Sequence, residues 1–331
     1  KSVALDLKQA DAQEALIALA ATADVLMHSM RPQKLAGLGL APETLRQRFP
    51  RLVYASLVGF LPGPYAGKPA YDDVIQGMSG LADLMERQGG EMRYLPTIAA
   101  DKTCAHVAAH AILAALWQRE RTGQGAFVEI PMFESMVGFN LVEHYYGQHF
   151  EPPLSAPGYP RVLAPWRRPY RTADGAVAMM PYTNLHWQRF FTEVGAPELA
   201  RDARFVDIAS RTRHIAELLE LASGLTDRHT TAHWIAVCER LEIPAAPVAK
   251  LQDLPLDPHL VATDFFETVA DPALGDVRFP GVPVRFDGQR AAITMPPRLG
   301  EHTRELLAQA GLGAAQIDAL VDTRAAIAPA T

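Results

Sequence analysis

Residues 3–57 alternate short apolar runs with amphipathic segments, and this rhythm limits the fold more than any other property of the chain. Residues 3–7 read as a strand, 10–21 as an amphipathic helix and 23–27 as a short buried strand. Residues 45–49 read as a helix tail and 52–57 as a further strand. Strand–helix–strand units with short connections predict a parallel sheet covered by helices, with right-handed crossovers. Sites in such sheets lie beyond the carboxyl ends of the strands. Met30-Arg31-Pro32, the loop from Phe60 to Tyr65 and Ala100-Asp101 all follow expected strand ends, so they are expected to converge. Residues 74–85 predict another helix. The chain opens on an alternating run with no initiator Met, and reads as the middle of an α/β domain whose N-terminal part is missing.

Asp101 stands where the run 94–100 meets an alanine-rich helix that ends at Gly123-Gln124-Gly125. Val107, Ile112, Leu113 and Leu116 recur at roughly the helical period. A carboxylate at a helix start caps unpaired N–H groups and sits in the positive end of the dipole. Hydrogen bonds to the charged form are expected to keep it ionised, and an ionised carboxylate is a nucleophile. Cap and nucleophile are both open readings at this point.

Of 331 residues, 49% are hydrophobic and 21% charged, enough for two cores. The net charge of -6 and the lack of a long basic run argue against nucleic acid as a partner. Two cysteines, Cys104 and Cys238, make no disulfide framework and suggest a reducing, cytoplasmic setting. No run has the apolar length of a membrane span. Six prolines between 150 and 170 mark a linker. The expected organisation is a large Rossmann-like domain over 1–145, a proline-rich linker over 146–168, a smaller α+β domain over 169–262, and a linker and return to the large domain over 263–331. In the small domain, 170–179 reads as a hairpin, 185–193, 215–224 and 231–241 as helices, and 243–248 as an edge strand. Strands at 267–269 and 282–286 and a helix at 303–311 follow.

Motifs of other chemistries are missing. His106 and His110 share a helix face, yet no carboxylate stands at ligand spacing, so no metal is expected. No phosphate loop, GxGxxG or GxSxG pattern is present. Cys104, one turn beyond Asp101, reads as a small buried residue, although the dipole could lower its pKa.

An ordered set of segments closely resembles the class III CoA-transferase family, which includes formyl-CoA and carnitine CoA-transferases and the α-methylacyl-CoA racemases. These are residues 1–7, Met30-Arg31-Pro32, Leu38-Gly39-Leu40, 50–56, Gly63-Pro64-Tyr65-Ala66, 76–81, 119–125, 169–175, Asp257-Pro258-His259 and 297–303. The resemblance implies an interlocked homodimer, in which Asp101 of one subunit meets the small domain of the other. It implies that Asp101 attacks an acyl-CoA donor to give a mixed anhydride and then an aspartyl-CoA thioester, from which an acceptor acid takes CoA. Arg31, Leu38, Phe60 and Tyr71 are the implied CoA contacts. CoA enters as a thioester substrate, and neither metal nor redox cofactor is implied. Racemases of the family have a histidine where Tyr71 stands, and a phenol with a pKa near ~10 is a poor base at neutral pH. Transfer is therefore expected, with an acyl-CoA racemase or epimerase and a non-catalytic acyl-CoA-binding relative as alternatives. Ala36-Gly37 replaces the family's frequent Glu-Arg, Val58 stands where some transferases carry lysine, and Trp166-Arg167-Arg168 occupies the stretch where formyl-CoA transferases have a glycine-rich loop. An acid other than oxalate or formate is expected.

Overall fold

In the computed structural model, which describes residues 1–31, 34–35 and 37–329, the expected parallel sheet is present with a different membership. Its strands are Val25–His28, Val53–Val58 and Phe127–Pro131, in that order and all parallel. Val53, Tyr54 and Ala55 of the central strand are fully buried, as a strand covered on both faces must be. The strand expected over 3–7 shrinks to Ala4–Leu5 and leaves this sheet to pair antiparallel with Ala326–Ile327. Leu5 there joins Ala12, Ala15, Leu307, Ile317 and Leu320, a cluster supplied from both ends of the described chain. No local periodicity encodes such a pairing. No expectation covered the Phe127–Pro131 strand or the Met132–His144 and Ala314–Asp322 helices.

The helix expected over 74–85 is two helices, Asp72–Met78 and Leu81–Gly89. Gly80 between them takes φ +85°, which interrupts the right-handed run. The helix expected from Asp101 begins two residues earlier, as Ala99–Thr122, and stops on the left-handed Gly123. Its buried stripe is Ala100, Cys104, Ala108, Ala115 and Arg119. These mostly small side chains allow close approach to the sheet, where Ala108 packs on Ala55 and Ile130. The apolar residues at helical period lie off this stripe: Val107 and Leu113 are 38% and 64% exposed, and Ile112 packs only from the margin.

The chain divides into two compact units. The first holds Lys1–Leu81, Tyr94–Asn140 and the residues from Thr294 onward; the second holds Ala82–Arg93 and Leu141–Ile293. In the second, Tyr170–Thr172, Gly175–Met179 and Ala245–Pro247 form an antiparallel sheet with the proline-bearing strand at its edge. Helices Asn184–Glu193, Ile215–Thr226 and Thr231–Leu241 cover an aromatic core of Tyr170, Trp187, Phe190, Phe191, Phe205 and Trp234. The Trp234 indole N–H donates to the Thr226 carbonyl at 2.8 Å, which satisfies its one buried polar atom. The proline-rich stretch forms only a 3₁₀ turn at Tyr146–His149 and a short helix at Pro160–Leu163. Phe266–Asp271 pairs with Gly275–Pro280, and within the strand expected over 282–286 only Arg285–Phe286 forms, paired with Gln289–Arg290. The Asp271 carboxylate accepts the Ala273 and Leu274 N–H groups at 2.9 Å each and so closes a tight turn.

Gly125 joins the long helix to the third strand by donating to the Pro50 carbonyl at 2.8 Å, and a Cβ there would lie 2.0 Å from the Leu52 carbonyl oxygen. Backbone cannot yield that space cheaply. Gly125→Ala is expected to lower unfolding free energy by about 1–3 kcal/mol, read from urea denaturation midpoints.

Candidate active site

The carboxyl ends of the three parallel strands open onto one cavity of about 630 Å³. Ser29, Met30 and Arg31 follow the first strand; Leu57, Val58 and Gly59 end the second; Met132 follows the third. The remaining wall comes from the loop residues Ala66 and Lys68 to Tyr71, from Asp72, and from Asp101, Cys104 and Ala105 of the long helix. Lys34 completes the lining. Three cations, Arg31, Lys34 and Lys68, thus share the cavity with two carboxylates.

Each wall has a local cause. The Met30 N–H donates to His28 Nδ1 at 3.1 Å, which directs the chain leaving the first strand toward the cavity. Burial holds the His28 pKa below its ordinary value, so its ring is neutral at neutral pH. At the second strand, the Gly59 carbonyl accepts the Phe133 N–H at 3.0 Å, while a Cβ on Gly59 would lie 2.4 Å from Ala70 Cβ. The loop wall therefore presses on the strand end where only glycine fits. Phe60 is buried behind the loop, with its ring 5.5 Å from Tyr65 and 5.7 Å from Phe133. Lys68 Nζ lies 4.4 Å from the centre of the Tyr65 ring, a distance suited to cation–π attraction.

Asp101 sits in the first turn of Ala99–Thr122, where backbone N–H groups have no intrahelical acceptor. Its own N–H is capped from 29 residues away, by Asp72 Oδ1 at 3.0 Å. The other oxygen of Asp72 accepts from Gln76 Nε2 at 2.6 Å. Gln76 also donates to the Thr97 carbonyl at 3.1 Å and accepts the Leu95 N–H at 2.9 Å. Asp72 and Gln76 are both buried. Together they tie the 95–101 segment to the start of the Asp72–Met78 helix. The capping reading is thus transferred: Asp72 is the cap, and the Asp101 carboxylate accepts no hydrogen bond among the described residues.

The expected electrostatics of Asp101 are also corrected. Desolvation in the cavity wall, followed by the Asp72 charge, raises its pKa above the ordinary 3.8. The helix dipole acts in the opposite sense. Cys104 moves the same way. Burial, with Asp101 next in weight, pushes its thiol up to about 11, so at neutral pH it is a protonated, apolar part of the wall.

Of the residues singled out from the sequence, Asp101, Arg31 and Tyr71 line this one cavity. Leu38 instead packs at the margin of the Leu35, Leu40, Leu45 and Tyr54 cluster, and Phe60 supports the wall from behind. Pro32 and Ala36 lie outside the described residues. Lys34, Lys68 and Asp72 had not been singled out as site residues. A short-loop lysine ahead of Pro69-Ala70-Tyr71-Asp72 was the available signal for Lys68; Asp72 had only its place beside Tyr71. His106 and His110 are exposed, and among the described residues no group of three or more His, Cys, Asp or Glu could hold a metal ion. No described helix is long and apolar enough to cross a membrane.

Asp72→Asn keeps an oxygen for the Asp101 N–H and removes the charge, so the Asp101 titration is expected to move down toward its ordinary value, followed by carboxyl ¹³C NMR. A raised folded pKa destabilises the fold fully above the folded value, and the effect fades as pH falls from the folded to the unfolded pKa. Asp101→Asn is accordingly expected to be more stable than the parent at pH 7, by about 1 kcal/mol or less given solvent screening. That gain is expected to vanish below pH 3.8, as thermal melts across pH would show.

The profile of CoA-transferase family III matches residues 1–303. A probable fatty acyl-CoA transferase of Mycobacterium tuberculosis is 31% identical over 323 residues, covering 93% of this chain and 81% of the relative. A succinyl-CoA:mesaconate CoA-transferase of Haloarcula hispanica is 29% identical, covering 95% and 80%. A crystal structure of the mycobacterial protein superposes with a TM-score of 0.77 at 29% identity, covering 92% of this chain and 80% of that one.

Proposed function

The chain belongs to CoA-transferase family III and is a transferase, and from that premise we propose that it moves CoA from an acyl-CoA thioester to a carboxylic acid through covalent intermediates on Asp101. One observation carries this reading: an unpaired, exposed carboxylate of raised pKa, its backbone anchored by a buried Asp72–Gln76 pair, in a cavity lined by three cations.

The steps balance without proton or electron donors. A carboxylate oxygen of Asp101 attacks the thioester carbonyl, the C–S bond breaks, and CoA leaves as a thiolate, giving a mixed anhydride. The thiolate attacks the Asp101 acyl carbon and expels the donor carboxylate, giving an aspartyl-CoA thioester. The acceptor carboxylate then displaces CoA to form a second anhydride. The thiolate attacks the acceptor's carbonyl, releasing the new acyl-CoA and the free Asp101 carboxylate. A raised pKa makes the carboxylate more basic and more nucleophilic while leaving it ionised near pH 7. Arg31, Lys34 and Lys68 supply charge suited to the CoA phosphates. Tyr71, 75% exposed at the rim, supplies a flat contact surface. This carboxylate chemistry calls for no metal or redox cofactor.

Racemisation is the less favoured reading, because among the described residues no histidine lines the cavity, and by resemblance Tyr71 stands where the family's racemases have one. Non-catalytic binding does not account for a carboxylate held clear of hydrogen-bond partners. The relatives' names pair succinyl-CoA with mesaconate, glutarate and citramalate, so succinyl-CoA with C4–C5 diacids forms the first panel to assay, beside long-chain acyl-CoA. We also infer a cytoplasmic homodimer, interlocked as in the family. Val107, Leu113 and Trp117 expose apolar surface along the long helix, Trp117 by 67%, and a second copy is the occupant that resemblance supplies.

Incubation with a turned-over acyl-CoA is expected to leave a hydroxylamine-sensitive CoA adduct on Asp101, detected by mass spectrometry. Asp101→Asn is expected to lose the adduct and at least about 10³-fold in turnover. Deuterium entering the α-carbon without acyl exchange would establish racemisation instead. Leu113→Lys with Trp117→Lys is expected to weaken the dimer, read by light scattering after size exclusion.

A further inference from the structure

The second unit holds a further cavity of about 200 Å³, lined by residues of that unit alone. Its lining combines Arg161, Arg167 and Arg168 with an apolar floor that includes Met179, Trp187 and Leu219, and contains no Asp or Glu. Guanidinium groups at a protein surface usually find carboxylates. Among the described residues these three form no ion pair. Arg161 has a long contact to Thr212 Oγ1 at 3.4 Å and lies 5.5 Å from the Tyr182 ring centre. Arg168 stacks on Trp166 at 4.2 Å.

Behind the wall the charge is compounded. Arg211 is 1% exposed and is held by neutral acceptors, the Phe205 carbonyl at 2.9 Å and Asn184 Oδ1 at 2.6 Å, while its Nε has no partner. Burial and then the Arg161 charge depress its pKa, with Asp207 only partly offsetting them. The fold therefore concentrates positive charge at a concave, apolar-floored site, offset only in part by Asp207, and a bound anion would relieve it.

We propose that this cavity binds a small organic acid, with its carboxylate at Arg161, Arg167 and Arg168 and its apolar body on the Met179–Trp187 floor. The volume is below the range of pockets that enclose drug-sized ligands, so the ligand is a free acid of benzoate or branched-chain size and not a CoA ester. The floor distinguishes it from a bare anion site, since inorganic phosphate would leave that apolar surface wet. The assignment does not rest on covalent chemistry at Asp101, because binding is measured without turnover.

Isothermal titration of the intact protein tests it with benzoate, its uncharged isostere benzamide, and inorganic phosphate as the anion lacking an apolar body. Benzoate is expected to bind and to quench Trp187 fluorescence, with benzamide and phosphate each at least about tenfold weaker. Arg161→Gln, and separately the exposed pair Arg167→Gln with Arg168→Gln, are each expected to weaken benzoate about tenfold or more. Asp101→Asn is expected to bind benzoate as the parent does. Equal affinity for benzamide, equal affinity for phosphate, or unchanged benzoate binding in folded arginine variants would each overturn the assignment. So would a changed benzoate affinity in Asp101→Asn, in particular the tighter binding expected if the acid sat beside the Asp101 carboxylate and its repulsion were removed. The double variant alters only surface side chains, so a folding defect in Arg161→Gln leaves the test intact.

Discussion

One long-range hydrogen bond organises the first unit's site: the Asp101 N–H donating to the buried carboxylate of Asp72. A helix start has N–H groups that its own backbone cannot satisfy, and a nucleophilic carboxylate placed there would ordinarily fold back to cap one of them. Asp72 takes that role from another helix. The Asp101 side chain is thereby left clear for substrate, while its backbone is held by a pair of residues that also grips Leu95 and Thr97. The same neighbour raises the Asp101 pKa. Asp72 thus anchors the backbone and adds to a rise that desolvation begins.

The cavity around it follows from the sheet. Three parallel strands bring their carboxyl ends to one edge, and the connections leaving that edge supply Arg31, Gly59 and Met132. The alanine stripe of the long helix seats it closely on the sheet, so the helix start reaches the same edge. Bulky core-facing residues would hold the helix further out and withdraw Asp101 from the strands. Packing of small residues is therefore part of how the chemistry is positioned.

Much of the local structure was legible. The helices Ala10–Ala21 and Thr231–Leu241 match their sequence boundaries, because amphipathic period is a local property, as is the Thr230 cap of the second. Gly123 marked the end of the long helix for the same reason. The failures were of a different kind. Val107 and Leu113 recur at the helical period yet are exposed, since hydrophobicity records that a side chain is to be covered but not by what. Residues 3–7 read as a parallel strand because pairing partners cannot be seen from one strand. Phe60 and Leu38 carried family resemblance, and the fold uses them as packing.

By itself the sequence determined the α/β rhythm, the position of Asp101 near the start of an alanine-rich helix, and the ordered motifs that identify the family. These depend on neighbours within a few turns, or on residue order alone. Only tertiary structure decided that Asp72 and not Asp101 is the cap, that the Asp101 pKa is raised and not lowered, and that Lys34 and Lys68 join Arg31 in one cavity. Hydrogen-bond partners and desolvation depend on distance through space, and chain separations such as the 29 residues between Asp72 and Asp101 leave no periodic trace in the sequence.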